Sequence, residues 1–299
     1  MNNISKNIDY RPDIDGLRGI AVIAVILNHL NPKILPSGYL GVDIFFVISG
    51  FVITSSLKKR QFENFKDFIT GFYGRRIKRL FPALIFFVFI SSLLIMMVVH
   101  DPRIYLKTGI SSLFGLSNFY LILQSTNYFA LETLLNPFTH TWSLAVEEQF
   151  YFIYPLIIWL SGFAKNLKNS TKYLTRTLLC LSFISFISFI YFYRTNLTLG
   201  YFLMPTRFWE MSTGGLLFLS TLRNNYFIKT ISQINPILPL LLIFGILFLP
   251  TNLGILGTPL IIIFSSTLIL SLKKSTLTFK LLTNKNTLII GLMSYSLYL

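Results

Sequence analysis

Apolar runs of about the 20 residues needed to cross a bilayer recur along the whole 299-residue chain. This feature constrains the fold most. In lipid, every backbone N–H and C=O must find its partner within the segment, so runs of this length predict an all-α, polytopic transmembrane helix bundle. Composition agrees: 53% of the residues are hydrophobic and only 12% charged, with a mean hydropathy of +0.64, which leaves too little polar side chain to cover a water-facing surface. No soluble domain is visible, and residues 1–299 read as a single transmembrane domain. The first run lacks a small-residue cleavage site and is followed by further runs, so it is expected as a retained helix and not a removable signal peptide. The single cysteine, Cys180, supports neither a disulfide framework nor a metal cluster, and no metal is expected.

Ten segments are expected, at 17–31, 40–57, 81–99, 106–123, 141–161, 175–193, 208–222, 236–250, 256–272 and 287–299. The net charge of +15 does not call for nucleic acid, because the basic residues gather in short connections. That is where the positive-inside bias places them, beside anionic lipid headgroups. The strongest cluster is Lys58, Lys59, Arg60, Lys66, Arg75, Arg76, Lys78 and Arg79, read as a cytoplasmic loop over 58–80 on the same side as the N-terminus. Lys165, Lys168, Lys172 and Arg176 fall on the cytoplasmic side only if 106–123 is re-entrant. The polar run Ser117, Asn118, Phe119, Tyr120 favours that. The last segment begins near Thr287 and reads as an incomplete helix, its 13 residues covering about 20 Å of a core about 30 Å thick.

Ionisable residues inside such segments are costly and therefore informative. Arg18 and His29 are eleven residues apart, which puts them on one helix face about 16 Å from each other. The bland alternative is a snorkelling arginine and an interfacial histidine. The chemical one is a histidine that takes and returns a proton near neutral pH. Asp43 stands at the mouth of the second segment among Gly38, Gly41, Ser49 and Gly50, with His29 or an arginine as its natural partner or as a plain interfacial acid. Arg75 and Arg79 lie at i and i+4, with Arg76 between them, and forked guanidinium groups suit phosphates; an ordinary basic anchor is the alternative. Glu147 and Glu148 sit adjacent in an apolar helix and point in different directions, one toward a site and the other toward an arginine. His140 reads as a solvated or capping loop residue. Arg207 and Glu210, at i and i+3, suit a structural ion pair.

Six motifs in fixed order resemble membrane-bound acyltransferase family 3, the O-acyltransferases that modify cell-surface glycans. They are YRPDIDGLRGIAVIAVILNH, LGVDIFFVISGF, FYGRRIKRLFPA, HTWSLAVEEQFYFIYP, PTRFWEMSTGGLL and SYSLYL, from residue 10 to residue 299. The resemblance implies transfer of an acyl group, usually acetyl, from acetyl-coenzyme A to a hydroxyl of a carbohydrate or glycolipid, such as a lipopolysaccharide or polysaccharide of the cell envelope. The acceptor would stand on the far side of the bacterial cytoplasmic membrane, crossed by the chain several times. It also implies His29 as the catalytic histidine with Arg18 as its partner, Arg75, Arg76 and Arg79 on the coenzyme A phosphates, and Asp43, Glu147 and Arg207 supporting the site. Glu148 and Glu210 join that supporting set. The opening motif is similar to the subgroup that continues into a periplasmic SGNH-type domain, in which SYSLYL is followed by a tryptophan-histidine-tryptophan-proline run; the chain is expected to be C-terminally truncated relative to it.

Two routes fit a histidine base, direct attack of the acceptor hydroxyl on the thioester or relay through an acylated histidine. Two other classes compete. A proton-coupled transporter or flippase also carries intramembrane Arg, His and Glu, although no inverted repeat is apparent here. An inactive truncated remnant is the third reading.

Overall fold

The computed structural model describes residues 10–58, 60, 62, 64–124, 135–223, 226–250 and 254–299. Every regular element among them is helical. The chain divides into two compact units, Met1–Gln61 with Thr213–Ser294, and Phe62–Ser212 with Tyr295–Leu299. Lys59 lies outside the described residues.

In the first unit, α1 (Pro12–Leu30) starts with a proline in its first turn, where the missing N–H is not needed, and with Asp13 and Asp15 at the end where acids are favoured. It packs against α2 (Gly41–Lys58), which a short 3₁₀ turn at Gly38–Leu40 introduces, and against the helix Lys285–Leu292. The α1–α2 approach requires glycine at Gly41, since a Cβ there would run into the backbone oxygen of Ala21 and lie 2.9 Å from Val25 Cγ2. Helices Ile237–Leu247 and Gly254–Ser271 pack on one another, and the second also on α2. Leu17, Ala21, Val22, Ile44, Val47 and Ile261 are fully buried in this unit.

In the second unit, α3 (Phe65–Val98) runs for 34 residues, about 50 Å. It begins where a loop was expected. The Asn64 side chain caps it by accepting from the Asp67 amide at 2.9 Å, and Phe65 and Phe68 pack their rings on Trp159 at 5.2 Å. Capping and aromatic packing therefore extend the helix through Lys66, Arg75, Arg76, Lys78 and Arg79, which charge counting assigned to a connecting loop.

The expected segment 106–123 is two short helices, α4 (Arg103–Leu113) and α5 (Ser117–Leu123). They are separated at Gly115, whose φ of 65° lies in the left-handed region. One side chain partners backbone at the break, and two polar residues beyond it tie α5 to neighbouring elements. Gln149 Nε2 donates to Gly115 O at 2.9 Å, Ser117 Oγ to Thr141 O at 2.9 Å and Asn118 Nδ2 to Phe202 O at 3.0 Å. Interrupted backbone is tolerated at membrane depth only with such partners.

The remaining helices of this unit are α6 (Thr141–Leu160), α7 (Ser170–Thr195), α8 (Leu197–Phe202) and, across the division, α9 (Met204–Thr221). The expected last segment 287–299 is also broken, into Lys285–Leu292 and Ser294–Tyr298. The short helices Leu197–Phe202, Tyr226–Ile231 and Leu277–Leu282 were not anticipated.

Gly38–Lys58, Phe65–Val98 and Ser170–Thr195 are long and apolar enough to cross a membrane. Of the helices that carry charged candidates, α2 and α3 belong to that set, whereas α1, α6 and α9 do not. Outward-facing residues such as Phe86, Phe89, Leu94, Phe183 and Ile184 are exposed on α3 and α7. Such an exposed apolar surface is what a lipid environment requires.

Candidate functional site

The first unit holds Arg18, His29 and Asp43. Arg18 and His29 both stand on α1, Arg18 half-buried near its start and His29 exposed in its last turn. The His29 ring turns back along the helix, with Nδ1 2.9 Å from the carbonyl oxygen of Val25. A carbonyl only accepts, so Nδ1 carries the proton of the neutral ring and Nε2 the lone pair. The chain after His29 is pinned by its neighbour: Asn28 Nδ2 donates to Leu35 O at 2.9 Å and to Pro36 O at 3.0 Å. Ser37 then donates from Oγ to Leu249 O at 2.7 Å.

Asp43 is buried in the first turn of α2, and Thr258 Oγ1 donates to its Oδ2 at 3.3 Å. That hydroxyl comes to the carboxylate from a helix more than 200 residues away in the chain. Thr258 carries no sequence signal, standing as one small polar residue in an apolar run.

The second unit holds the other candidates. Arg75 folds along its helix toward Gly71, its Nη1 3.3 Å from where a Cβ there would stand, and Arg79 is exposed. Arg76 turns elsewhere, its guanidinium carbon 3.7 Å from the centre of the Tyr151 ring and 4.8 Å from that of Phe72. Glu147 accepts a hydrogen bond from the Tyr151 hydroxyl one turn along α6. Glu148 points differently, as expected of adjacent helical residues, with its Oε2 against Gly115.

Arg207 and Glu210 form the anticipated i, i+3 pair at 2.8 Å, with side chains 1% and 0% exposed. Burial this complete is sustained by further contacts: Arg207 Nε donates to Tyr201 O at 3.1 Å, and its guanidinium lies 4.7 Å from the Tyr201 ring and 5.5 Å from that of Phe189. His140 is half-buried at the N-cap position of α6, as one expected alternative had it, although its side chain makes no capping bond. Its ring packs edge-on against Phe87 at 5.4 Å and Tyr298 at 5.5 Å, while the Tyr298 hydroxyl donates to its carbonyl at 3.1 Å.

A family profile described as an acyltransferase domain, acyltransferase 3, matches residues 11–299. The chain belongs to this family. It accordingly carries an acyltransferase domain and is a membrane protein. It is similar to the O-acetyltransferase OatA of Staphylococcus aureus strains NCTC 8325 and COL, 41% identical over 152 residues in each case. That alignment takes in 50% of this chain and 25% of OatA. No solved structure matches the chain.

Proposed function

We propose that this acyltransferase moves an acetyl group from acetyl-coenzyme A to a hydroxyl of a cell-surface carbohydrate, with the acceptor on the outer side of the cytoplasmic membrane. The observation that carries the reading is the His29 ring, held through Nδ1 by Val25 O so that Nε2 is the basic nitrogen. Similarity to a protein named as an O-acetyltransferase supports acetyl as the group and oxygen as its destination.

Nε2 takes the proton of the acceptor hydroxyl as the oxygen attacks the thioester carbonyl. The C–S bond breaks, coenzyme A leaves as the thiolate, and the imidazolium returns the proton to sulfur. The products are an O-acetyl ester and coenzyme A, with no net change in protons on the protein. Arg18 acts as the partner of His29. Arg75, Arg76 and Arg79 hold the coenzyme A phosphates, for which forked, permanently charged donors are suited. Asp43 supports the site as a buried acceptor in the first unit; in the second, Glu147 accepts from Tyr151, Glu148 stands beside it on α6, and Arg207 pairs with Glu210. The protein crosses the membrane several times, and membrane lipid is its surrounding partner.

The test is thiol release from acetyl-coenzyme A by the purified protein in nanodiscs, with and without a carbohydrate acceptor. Release that is lost in His29→Ala, with the unfolding temperature retained, supports the reading; release that persists in that variant sinks the histidine's role.

A further inference from the structure

We infer that Tyr151, on which the sequence motifs conferred no role, is a positioning residue that couples the acyl donor site at Arg76 to the Glu147 carboxylate. The inference rests on the proposed use of coenzyme A as donor. Its structural basis lies wholly within the second unit and involves three different parts of one residue.

The first part is the ring. Arg76 lies over it at 3.7 Å, with the Phe72 ring at 4.8 Å, and both aromatic residues are buried. Among the described residues no carboxylate pairs with Arg76, and its buried Nε has no hydrogen-bond partner. The guanidinium is thus held by π-faces, which fix the plane of the fork without consuming its N–H donors. An arginine held this way is prepared for a phosphate; one held by a carboxylate would have to exchange partners first.

The second part is the hydroxyl, which donates to Glu147 Oε1 one turn back on α6. The third is the carbonyl. Pro155 has no N–H to give to the carbonyl of Tyr151 four residues earlier, and Tyr73, from the same stretch of α3 as Arg76, supplies the missing donor. The Tyr73 hydroxyl reaches Tyr151 O and Phe152 O, both at 3.2 Å. The proline therefore does more than interrupt α6. It opens a carbonyl through which α3 fixes the height at which Tyr151 meets Arg76. A shift of Arg76 on binding an anion is transmitted to the ring, and through the ring's hydroxyl to Glu147.

Ring and hydroxyl can be separated by substitution. In nanodiscs, coenzyme A affinity is measured by calorimetry and thiol release gives kcat and KM for acetyl-coenzyme A. Tyr151→Phe keeps the ring, so coenzyme A affinity and KM stay within about twofold while kcat falls about tenfold. Tyr151→Leu removes the ring as well, and coenzyme A affinity then drops about tenfold. Because the loss in Tyr151→Leu acts through the arginine, Arg76→Ala combined with Tyr151→Leu binds no more weakly than Arg76→Ala alone. A merely structural tyrosine would not give this split. Wild-type affinity in a folded Tyr151→Leu, or additive losses in the double variant, overturns the inference while leaving the donor intact. A wild-type protein that neither binds coenzyme A nor releases thiol overturns the inference together with the donor reading.

Discussion

The Nδ1 of His29 and the carbonyl oxygen of Val25, one helical turn apart on α1, are 2.9 Å from each other. The contact ties the ring to its own helix and selects the tautomer with the lone pair on Nε2. His29→Ala is expected to reduce thiol release by about 10²- to 10⁴-fold, the usual contribution of a positioned base. His29→Gln, which keeps a polar side chain but no titratable nitrogen, should be equally inactive. Rates measured alongside thermal unfolding in detergent check both, and a Gln variant at wild-type rate would exclude proton transfer at this position.

Asp43 and Thr258 form the second relationship, a hydroxyl given to a buried carboxylate. Thr258→Val keeps shape and removes the donor, with an expected cost of about 1–3 kcal/mol. It should lower the unfolding temperature and reduce kcat, since the carboxylate loses part of its orientation. Thr258→Ser restores the hydroxyl and should restore both quantities, which makes the pair of variants the measurement.

The ion pair of Arg207 and Glu210 is almost completely buried in the second unit. Glu210→Ala takes the carboxylate away from a guanidinium that stays buried, and destabilisation of about 3–5 kcal/mol is expected. Glu210→Gln retains an acceptor and should cost less. Denaturation followed by tryptophan fluorescence suits this site, because Trp142 and Trp209 stand nearby at 1% and 7% exposure.

Gly115 combines a φ of 65° with the Glu148 carboxylate packed where a Cβ would stand. Gly115→Ala is expected to cost about 1–2 kcal/mol from the backbone alone, with the displaced carboxylate adding to it. A lower unfolding temperature and a lower yield of folded protein would follow. Unchanged stability would show that α4 and α5 do not need the left-handed turn.

Several local features were legible in the sequence because their causes are local. A helix period places Arg18 and His29 on one helix, the i, i+3 spacing pairs Arg207 with Glu210, and the polar run at Ser117 and Asn118 marks the segment that is broken. The extension of α3 was not legible. The positive-inside bias reads 58–80 as a loop, although the i, i+4 spacing already put Arg75 and Arg79 on one helix face; the Asn64 cap and the Trp159 face against Phe65 and Phe68 carry the helix back to Phe65.

The sequence by itself determined the all-α membrane class, the family, and the placement of Arg18, His29, Asp43, Glu147, Arg207 and Glu210 within helices, since these follow from apolar run length, motif order and helical period. The tertiary structure decided what each of those residues touches. Thr258 reaches Asp43 across 215 positions of sequence, Tyr73 meets Tyr151 across 78, and Arg76 stacks on a ring in another helix. Side-chain reach between packed helices has no period in the chain, so none of these contacts is written in the spacing of residues. They arise because each buried carboxylate, guanidinium and opened carbonyl takes a partner from whichever helix packing brings alongside.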